Sequence, residues 1–259
     1  MDPKIRERRV VIARQRGRGR LRVLVSGFCV LAIGVGAFFT LQTSLFSARH
    51  VTVRGAHHIP VATVVEVAGL TRHPPLLDVD AGLAAARLEK LPWVRSAVVE
   101  RHWPDSVSVV VTERVAVASV ALPAGGVAIV DGSGRVLAHE SDAPAGTVAL
   151  VVPHVAGPPG SVLGSTASGA LTVARDLPLP LRSRVTTVIA ETGEGVVLDL
   201  GGGLRAVLGP PSGLGAKFEA LESMLAGTRL AGPAVIDLTV PEEPTVSAVP
   251  PAPGASTPD

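Results

Sequence analysis

The sequence is poor in several residue types that functional sites commonly use. Its single cysteine, Cys29, excludes an internal disulfide and a metal site built from several thiolates. Tyrosine is absent, and aromatic residues make up only 3% of the chain. The formal net charge is +2, yet residues 1–22 hold nine Lys/Arg against two Asp/Glu, so the rest of the chain is net negative. The basic character is therefore confined to the N-terminus.

A long uncharged segment follows the basic residues. Residues 23–48 contain no charged side chain, and their most apolar part, 23–41, would rise about 28 Å as a helix, close to the roughly 30 Å bilayer core. This predicts a transmembrane helix. A cleavable signal is the competing interpretation, but the apolar run is too long for an h-region. In addition, Phe46 stands where a cleavage site needs a small side chain.

Five arginines cluster directly before this segment, from Arg14 to Arg22. The positive-inside rule then predicts a cytoplasmic tail at 1–22 and extracytoplasmic domains from residue 49 onward, in a single-pass protein of the plasma (inner) membrane. A nucleic-acid-binding arm is the alternative for such a cluster. Contact with anionic lipid explains the same arginines next to a membrane helix, so we expect no nucleic-acid partner.

The residues after the predicted membrane segment read as a two-layer α+β domain. Proline at a first helical position, an Asp cap and terminating Gly or Pro residues mark two short helices between alternating strands. The predicted order is β-α-α-β-β: a strand ending at Gly55, a helix from Pro60 to Gly69, a helix between Asp80 and Pro92, and strands near Arg95–Arg101 and Val107–Arg114.

The remaining sequence predicts a mainly antiparallel β domain with one or two helices. Glycine-rich turns at Asp131–Gly134 and Gly201–Gly203 are typical of hairpins. Helices are predicted at Leu171–Leu177 and after Ser212, where Leu214, Phe218, Leu221 and Leu225 form an apolar stripe. A last strand is predicted at Ala234–Val240, and no later strand is expected to cover it. The Pro-rich residues 241–259 are expected to be disordered.

The chain shows no convincing catalytic, cofactor or metal site. His57 and His58 are adjacent and would face opposite sides of a strand, with no third ligand nearby. The segment Gly209–Lys217 departs from a P-loop because Ala216 precedes the lysine. Ser133 lies in a hairpin turn without the spacing of a nucleophile elbow. We therefore expect no enzyme, no cofactor and no small-molecule substrate.

Several sequence motifs resemble the FtsQ/DivIB family of cell-division proteins. They are Leu-Pro-Trp-Val at Leu91–Val94, a basic residue before Trp103-Pro104, and Val-x-Val-x-Val-x-Glu-Arg ending at Arg114. The resemblance covers about residues 20–240 and departs at the loop 72–75. It implies a cytoplasmic tail at 1–22, a membrane segment at 23–48, a POTRA domain at 49–115 and an FtsQ-type β domain at 116–240.

The aromatic and charged residues of the second hairpin have both structural and binding interpretations. Trp93 and Trp103 are suited to interface anchors, but core packing for Trp93 and a lid over one end of the sheet for Trp103 are the simpler interpretations. Glu113 and Arg114 stand near the end of the first predicted domain. They either tie the domains together or are simply solvated.

Strand edges are the best candidates for a functional surface, because an open edge can accept an extended partner segment through main-chain hydrogen bonds. One candidate is Val51, Thr52 and Val53. The other is the terminal strand; by resemblance, its residues receive a segment of FtsB: Val235, Ile236, Asp237, Leu238, Thr239 and Val240. The alternative for Ile236, Leu238 and Val240 is that alternate residues face the core. Lys217, with Glu219, is predicted to project outward beside this site, or simply to lie on an exposed charged helix face.

The resemblance implies a non-enzymatic divisome scaffold that helps control septal peptidoglycan synthesis. Its implied partners are FtsB/FtsL-like proteins, together with FtsW and the septal transpeptidase. One competing hypothesis is a POTRA-type chaperone or translocation-assembly protein, although only one POTRA unit and no run of barrel strands is predicted. Another is a membrane-anchored extracytoplasmic hydrolase, which would need a convergent polar site.

Overall fold

The computed structural model describes residues 24–36, 46–191, 195–227 and 233–248. Residues 24–36 form helix α1, and its apolar side chains, such as Phe28 and Ile33, are exposed. Among the described residues, no helix combines the length and apolar character needed to cross a bilayer. The predicted cytoplasmic tail at 1–22, and residues 23, 37–45 and 249–259, lie outside the described residues.

The described chain divides into two compact units. One consists of the described residues within 1–88 and 97–111, and the other of those within 89–96 and 112–259. The second unit therefore includes residues 94–96, where the second strand begins, and residues 112–113, where the third strand ends.

A three-stranded sheet and two helices make up the N-terminal part, in the predicted order β-α-α-β-β. The elements are β1 (His50–Arg54), α2 (Val61–Val67), α3 (Ala81–Leu88), β2 (Val94–His102) and β3 (Ser106–Glu113). The strand order is β1-β3-β2, with β1 parallel to β3. The Asp80 carboxylate accepts a 2.9 Å hydrogen bond from the Leu83 amide, which confirms the predicted helix cap.

A nine-stranded sheet organises the remaining chain. Its order is β12-β11-β10-β9-β8-β7-β4-β5-β6. The strands are β4 (Ala116–Ala121), β5 (Val127–Asp131), β6 (Val136–Glu140), β7 (Val148–Val151), β8 (Thr187–Ala190), β9 (Val196–Asp199), β10 (Leu204–Gly209), β11 (Ala234–Asp237) and β12 (Thr245–Ala248). Most neighbouring pairs are antiparallel, but β4 with β7, β7 with β8, and β10 with β11 are parallel.

Both predicted hairpins are present. The turn at Asp131–Gly134 joins the antiparallel strands β5 and β6, and the turn at Gly201–Gly203 joins β9 and β10. All three glycines of the second turn have positive φ, at 79°, 61° and 82°, which side chains with a Cβ rarely adopt. The glycines that predicted the second turn are therefore the residues that its backbone conformation requires.

Helices cover one face of the large sheet. They are α4 (Ser168–Asp176), preceded by a short 3-10 turn at Ser165–Ala167, α5 (Leu179–Arg182) and α6 (Leu214–Gly227). Val173 and Ala174 of α4 are fully buried and belong to the same core as Val188 of β8 and Leu198 of β9. From α6, Phe218 and Leu221 join this core, as the apolar stripe predicted.

The last part of the chain differs from the sequence-based prediction. Strand β11 ends at Asp237, not at Val240, because the Asp237 carboxylate accepts a hydrogen bond from the Thr239 amide at 2.9 Å and turns the chain. Residues Thr245–Ala248 then form β12. The prediction of disorder throughout 241–259 is therefore wrong for these four residues, since backbone pairing to a neighbouring strand needs no core of its own.

Candidate protein-binding edges

Strand β11 carries three of the residues predicted to bind a partner, Val235, Ile236 and Asp237, and the other predicted residues of the terminal strand directly follow it. It pairs in parallel with β10, where Ala206 lies opposite Ile236 and Val207 lies opposite Asp237. The Leu238 amide continues this pairing by donating to the Val207 carbonyl at 2.8 Å. The stretch from Ala234 to Leu238 is therefore fixed to the sheet through its backbone on one side.

The side chains of this stretch alternate between core and surface. Ile236 and Leu238 are fully buried, while Val235 is half-buried. Asp237, Thr239 and Val240 are exposed. Two of the three residues expected to face the core do so, and Val240 does not, because the strand has ended before it. The three exposed residues are thus the ones whose side chains a partner could touch.

Hydrogen bonds at the end of β11 fix one of these exposed side chains. Donation from the Thr239 side chain and from the Thr239 amide lowers the pKa of Asp237, against a smaller opposing effect of burial. Asp237 is therefore an ionised, oriented carboxylate at the end of the strand.

The other side of β11 is not open. Strand β12 pairs with it in antiparallel fashion, with Ile236 opposite Val246 and Asp237 opposite Thr245. The prediction that no later strand covers the terminal strand is therefore wrong. All four residues of β12 are exposed, and β12 is the outermost strand of the sheet at this end. Within the described residues, the sheet edge with unpaired backbone groups is therefore β12 and not β11.

The second predicted edge is strand β1. It is an outer strand of its sheet and pairs on one side with β3, so that Val51 lies opposite Val107 and Val53 opposite Val109. Val51 and Val53 are half-buried, whereas Thr52 is exposed. Within the part of the chain that the structure describes, the far side of β1 carries no partner strand.

Lys217 does not face the surface as predicted. Only 3% of the residue is exposed, and its ammonium donates hydrogen bonds to the carbonyls of Leu208 and Pro210 at 2.7 and 2.9 Å. Burial lowers the pKa of Lys217. The predicted outward orientation is therefore wrong. The lysine instead holds α6 against the end of β10. Its spacing of four residues from Leu221 was the sequence signal that it lies beside the apolar stripe. Glu219 is exposed, as expected.

Asp131 is the most densely bonded carboxylate among the described residues. It is buried and accepts hydrogen bonds from the Ser133 hydroxyl and amide, from the Arg135 amide, and from the Arg114 guanidinium at 2.9 Å. Burial raises the pKa of Asp131, but these hydrogen bonds outweigh that effect and the pKa lies below its usual value. Ser133 is thus a turn residue, and Arg114 has a structural partner that the sequence alone did not identify.

The two tryptophans have different environments. Trp93 is half-buried. Trp103 is 51% exposed, and its ring lies 6.0 Å from that of Phe46. Trp103 therefore covers less of the sheet end than a buried lid would. Among the residues described, no group of three or more His, Cys, Asp or Glu is arranged to hold a metal ion.

The chain matches two family models in succession. Residues 46–114 match the model of the FtsQ-type POTRA domain, and residues 118–239 match the model of the C-terminal part of the cell division protein FtsQ/DivIB. A cell division protein FtsQ from Streptomyces collinus is 31% identical over 246 residues, which cover 91% of each chain. The chain belongs to the FtsQ/DivIB family. Its role in cell division follows from this membership.

Other relatives agree with this assignment to FtsQ/DivIB. A cell division protein FtsQ from Mycobacteroides abscessus is 30% identical over 237 residues, covering 89% of this chain and 72% of the relative. One from Streptomyces bingchenggensis is 29% identical over 210 residues, covering 80% and 79%. The similarity thus extends across both domains of the FtsQ/DivIB fold.

Proposed function

We propose that this FtsQ/DivIB chain is a non-enzymatic scaffold of the division machinery. In this proposal it links membrane-anchored divisome proteins, of the FtsB/FtsL type and with them FtsW and the septal transpeptidase, and so helps control septal peptidoglycan synthesis. The contacts are made by β-strand addition. Family membership supports the divisome role, and the outermost position of β12 is the observation that carries the binding mode.

Strand β12 is well suited to accept a further strand. Its side chains are exposed, and one row of its backbone groups pairs with β11, which leaves the other row directed away from the sheet. A partner segment can satisfy that row with a ladder of main-chain hydrogen bonds. In this arrangement β12 lies between the segment Val235–Val240 and the partner segment. The side chains of Asp237, Thr239 and Val240 flank the partner segment.

Strand β1 offers a second edge for the same mode of binding. The exposed side of Val51, Thr52 and Val53 can take a segment of another divisome member. Residues 23–48 anchor the chain in the membrane in this proposal, with residues 1–22 in the cytoplasm and the domains outside, concentrated at the division septum. Anchoring raises the effective concentration of partners that are themselves held in the membrane.

Two truncations test strand addition at β12. The first ends the chain at residue 244 and removes β12; the matched control ends it at residue 248 and keeps β12. We expect capture of the FtsB-like partner from the same organism to fall at least about tenfold for the first variant, because the accepting backbone is lost. The control should capture the partner like the full chain.

Two results would count against the proposal. Stronger capture after removal of β12 would show that the partner takes the place of β12 on β11 and does not add to it. Equal capture by both variants, with the domain folded by circular dichroism, would exclude this edge altogether. Substitutions of Ile236 or Leu238 are less informative, because both side chains are buried and their loss disturbs the fold.

A further inference from the structure

A cavity of about 620 Å³ in the second compact unit is lined by four arginines. They are Arg95, Arg114, Arg175 and Arg182, which face a single lining carboxylate, Asp131, and a wall formed by residues 115–117. A volume of this size is typical of ligand sites, which span roughly 300 to 1,000 Å³. The positive charge of this cavity contrasts with the net negative charge of the chain after residue 22.

Only part of the positive charge in this cavity is neutralised. Arg114 donates to Asp131 at 2.9 Å, and Arg175 donates to the exposed Asp176 at 2.8 Å. Arg95 is exposed and forms no ion pair within the described ranges. Counting described residues alone, the four guanidinium groups thus pair with two carboxylates, which leaves an excess of two positive charges around the cavity.

Arg182 holds one of these charges in a fixed position. Its terminal nitrogens donate to the backbone carbonyls of Gly146 at 3.0 Å and Ala174 at 2.8 Å. Carbonyl oxygens orient a guanidinium without neutralising it. Its Nε is also buried without a hydrogen-bond partner among the residues described. Arg182 is therefore a rigid cation whose bonding capacity is not fully used.

The position of Arg175 depends on the turn between β5 and β6. A Cβ atom at Gly132 would lie 3.3 Å from Cδ of Arg175 and 3.7 Å from a methyl group of Val117. The absence of a side chain at 132 lets the Arg175 stem pack over the turn. Next to it, Val115 is 76% exposed, so the cavity combines cations with free apolar surface.

We propose that this cavity binds a short acidic segment of a protein partner. The carboxylates of that segment contact Arg95, Arg175 and Arg182, and its apolar side chains contact the wall at 115–117. Guanidinium groups bind carboxylates through paired, charge-assisted hydrogen bonds, and a surplus of one sign attracts a partner of the other. A peptide fits better than a free phosphate ion, because a hydrated ion would leave the apolar wall and most of the volume unused.

Fluorescence anisotropy with the full chain in detergent tests this proposal. The probe is a fluorescein-labelled decapeptide of alternating Glu and Val, and the matched peptide has Gln in place of Glu. We expect the Glu peptide to bind at least about tenfold more tightly, and its binding to weaken as NaCl rises from about 0.05 to 0.5 M. Arg95→Gln and Arg182→Gln should each weaken binding about tenfold. Arg184→Gln, an exposed arginine outside the cavity, should leave it unchanged.

The comparison of variants decides the outcome. Arg95 is exposed and has no hydrogen-bond or ion-pair partner in the described part of the chain, so its substitution tests the site even if Arg182→Gln disturbs the fold. If Arg95→Gln and Arg184→Gln weakened binding of the Glu peptide equally, the binding would be general electrostatic attraction to the protein. That result would overturn the proposal. Equal binding of the Glu and Gln peptides would do the same. Displacement of the Glu peptide by inorganic pyrophosphate at a concentration equal to the peptide's own Kd would assign the cavity to a small anion instead.

Discussion

At the scale of single residues, buried charges in this FtsQ/DivIB chain are held by hydrogen bonds to loops and strand ends. Asp131 collects three donors from its own turn and one from Arg114. Lys217 satisfies two carbonyls at the end of β10. In both cases a charged side chain replaces the backbone pairing that an irregular segment lacks, since buried backbone groups need partners.

Asp131→Asn tests the importance of the first of these residues. We expect the free energy of unfolding at pH 7 to fall by about 2 kcal/mol, because hydrogen bonds to a charged acceptor are lost and Arg114 loses its counter-ion. The folded-state pKa of Asp131 is lowered, so its stabilisation is complete above the ordinary value of 3.8 and disappears as the pH falls through the folded-state pKa. The difference between the two proteins in urea unfolding should therefore shrink below pH 3.8.

Asp142→Asn is the control for this experiment. Asp142 is exposed, and among the described residues it accepts a hydrogen bond only from the hydroxyl of Ser141. Its substitution should change stability by less than about 0.5 kcal/mol. A loss for Asp131→Asn that stays constant from pH 7 to pH 3 would contradict the ionic origin of the effect.

At the scale of elements, tight turns set where strands begin and end. Gly55 follows β1 with φ of 79°, and a Cβ atom there would collide with the carbonyl of Val111 in β3. The turn that follows β1 therefore requires glycine at position 55 for two reasons. These are the positive φ angle and the close approach of the Val111 carbonyl. Gly125, in the turn between β4 and β5, has φ of 93° but no atom within 4 Å of an added Cβ.

Comparison of Gly55→Ala with Gly125→Ala separates these two reasons. Gly125→Ala should cost about 1 kcal/mol, from the left-handed conformation alone. Gly55→Ala should cost at least about 2 kcal/mol, because the Val111 carbonyl must also move. Thermal and urea unfolding of the two variants measure the difference. Equal losses would show that the backbone at Gly55 relaxes freely.

At the scale of the whole molecule, the boundaries of the family models and of the compact units do not coincide. The C-terminal family model begins at residue 118, whereas the second compact unit also includes residues 89–96 and 112–117. Arg114, the partner of Asp131, stands in this additional part. A fragment cut at the family boundary therefore loses a buried ion pair.

A fragment of residues 118–248 should show this loss. In residues 46–248 we expect Asp131→Asn to destabilise by about 2 kcal/mol, and in the fragment by clearly less, because Arg114 is already absent. Urea unfolding of the four proteins gives the coupling energy directly. The same loss in both backgrounds would mean that the turn donors, and not Arg114, account for the effect of Asp131.

The sequence by itself determined the elements whose signals are local. Glycine turns at Asp131–Gly134 and Gly201–Gly203, the Asp80 cap and the apolar stripe of α6 were all predictable, because φ angles, caps and helical periodicity depend on neighbouring residues. The motifs that end at Arg114 were sufficient to indicate the family. Helix caps, terminating residues and alternating strands predicted the order β-α-α-β-β.

Only the tertiary structure decided which edge is open and which charges are buried. Strand β12 is polar and proline-flanked, so nothing local predicts it; it exists because β11 offers backbone groups at the right distance. The burial of Lys217 depends on carbonyls of Leu208 and Pro210 that another segment brings to it. The arginine-lined cavity likewise joins residues from 95 to 182. Contacts between distant segments depend on how the elements pack together, and no short stretch of the sequence predicts that packing.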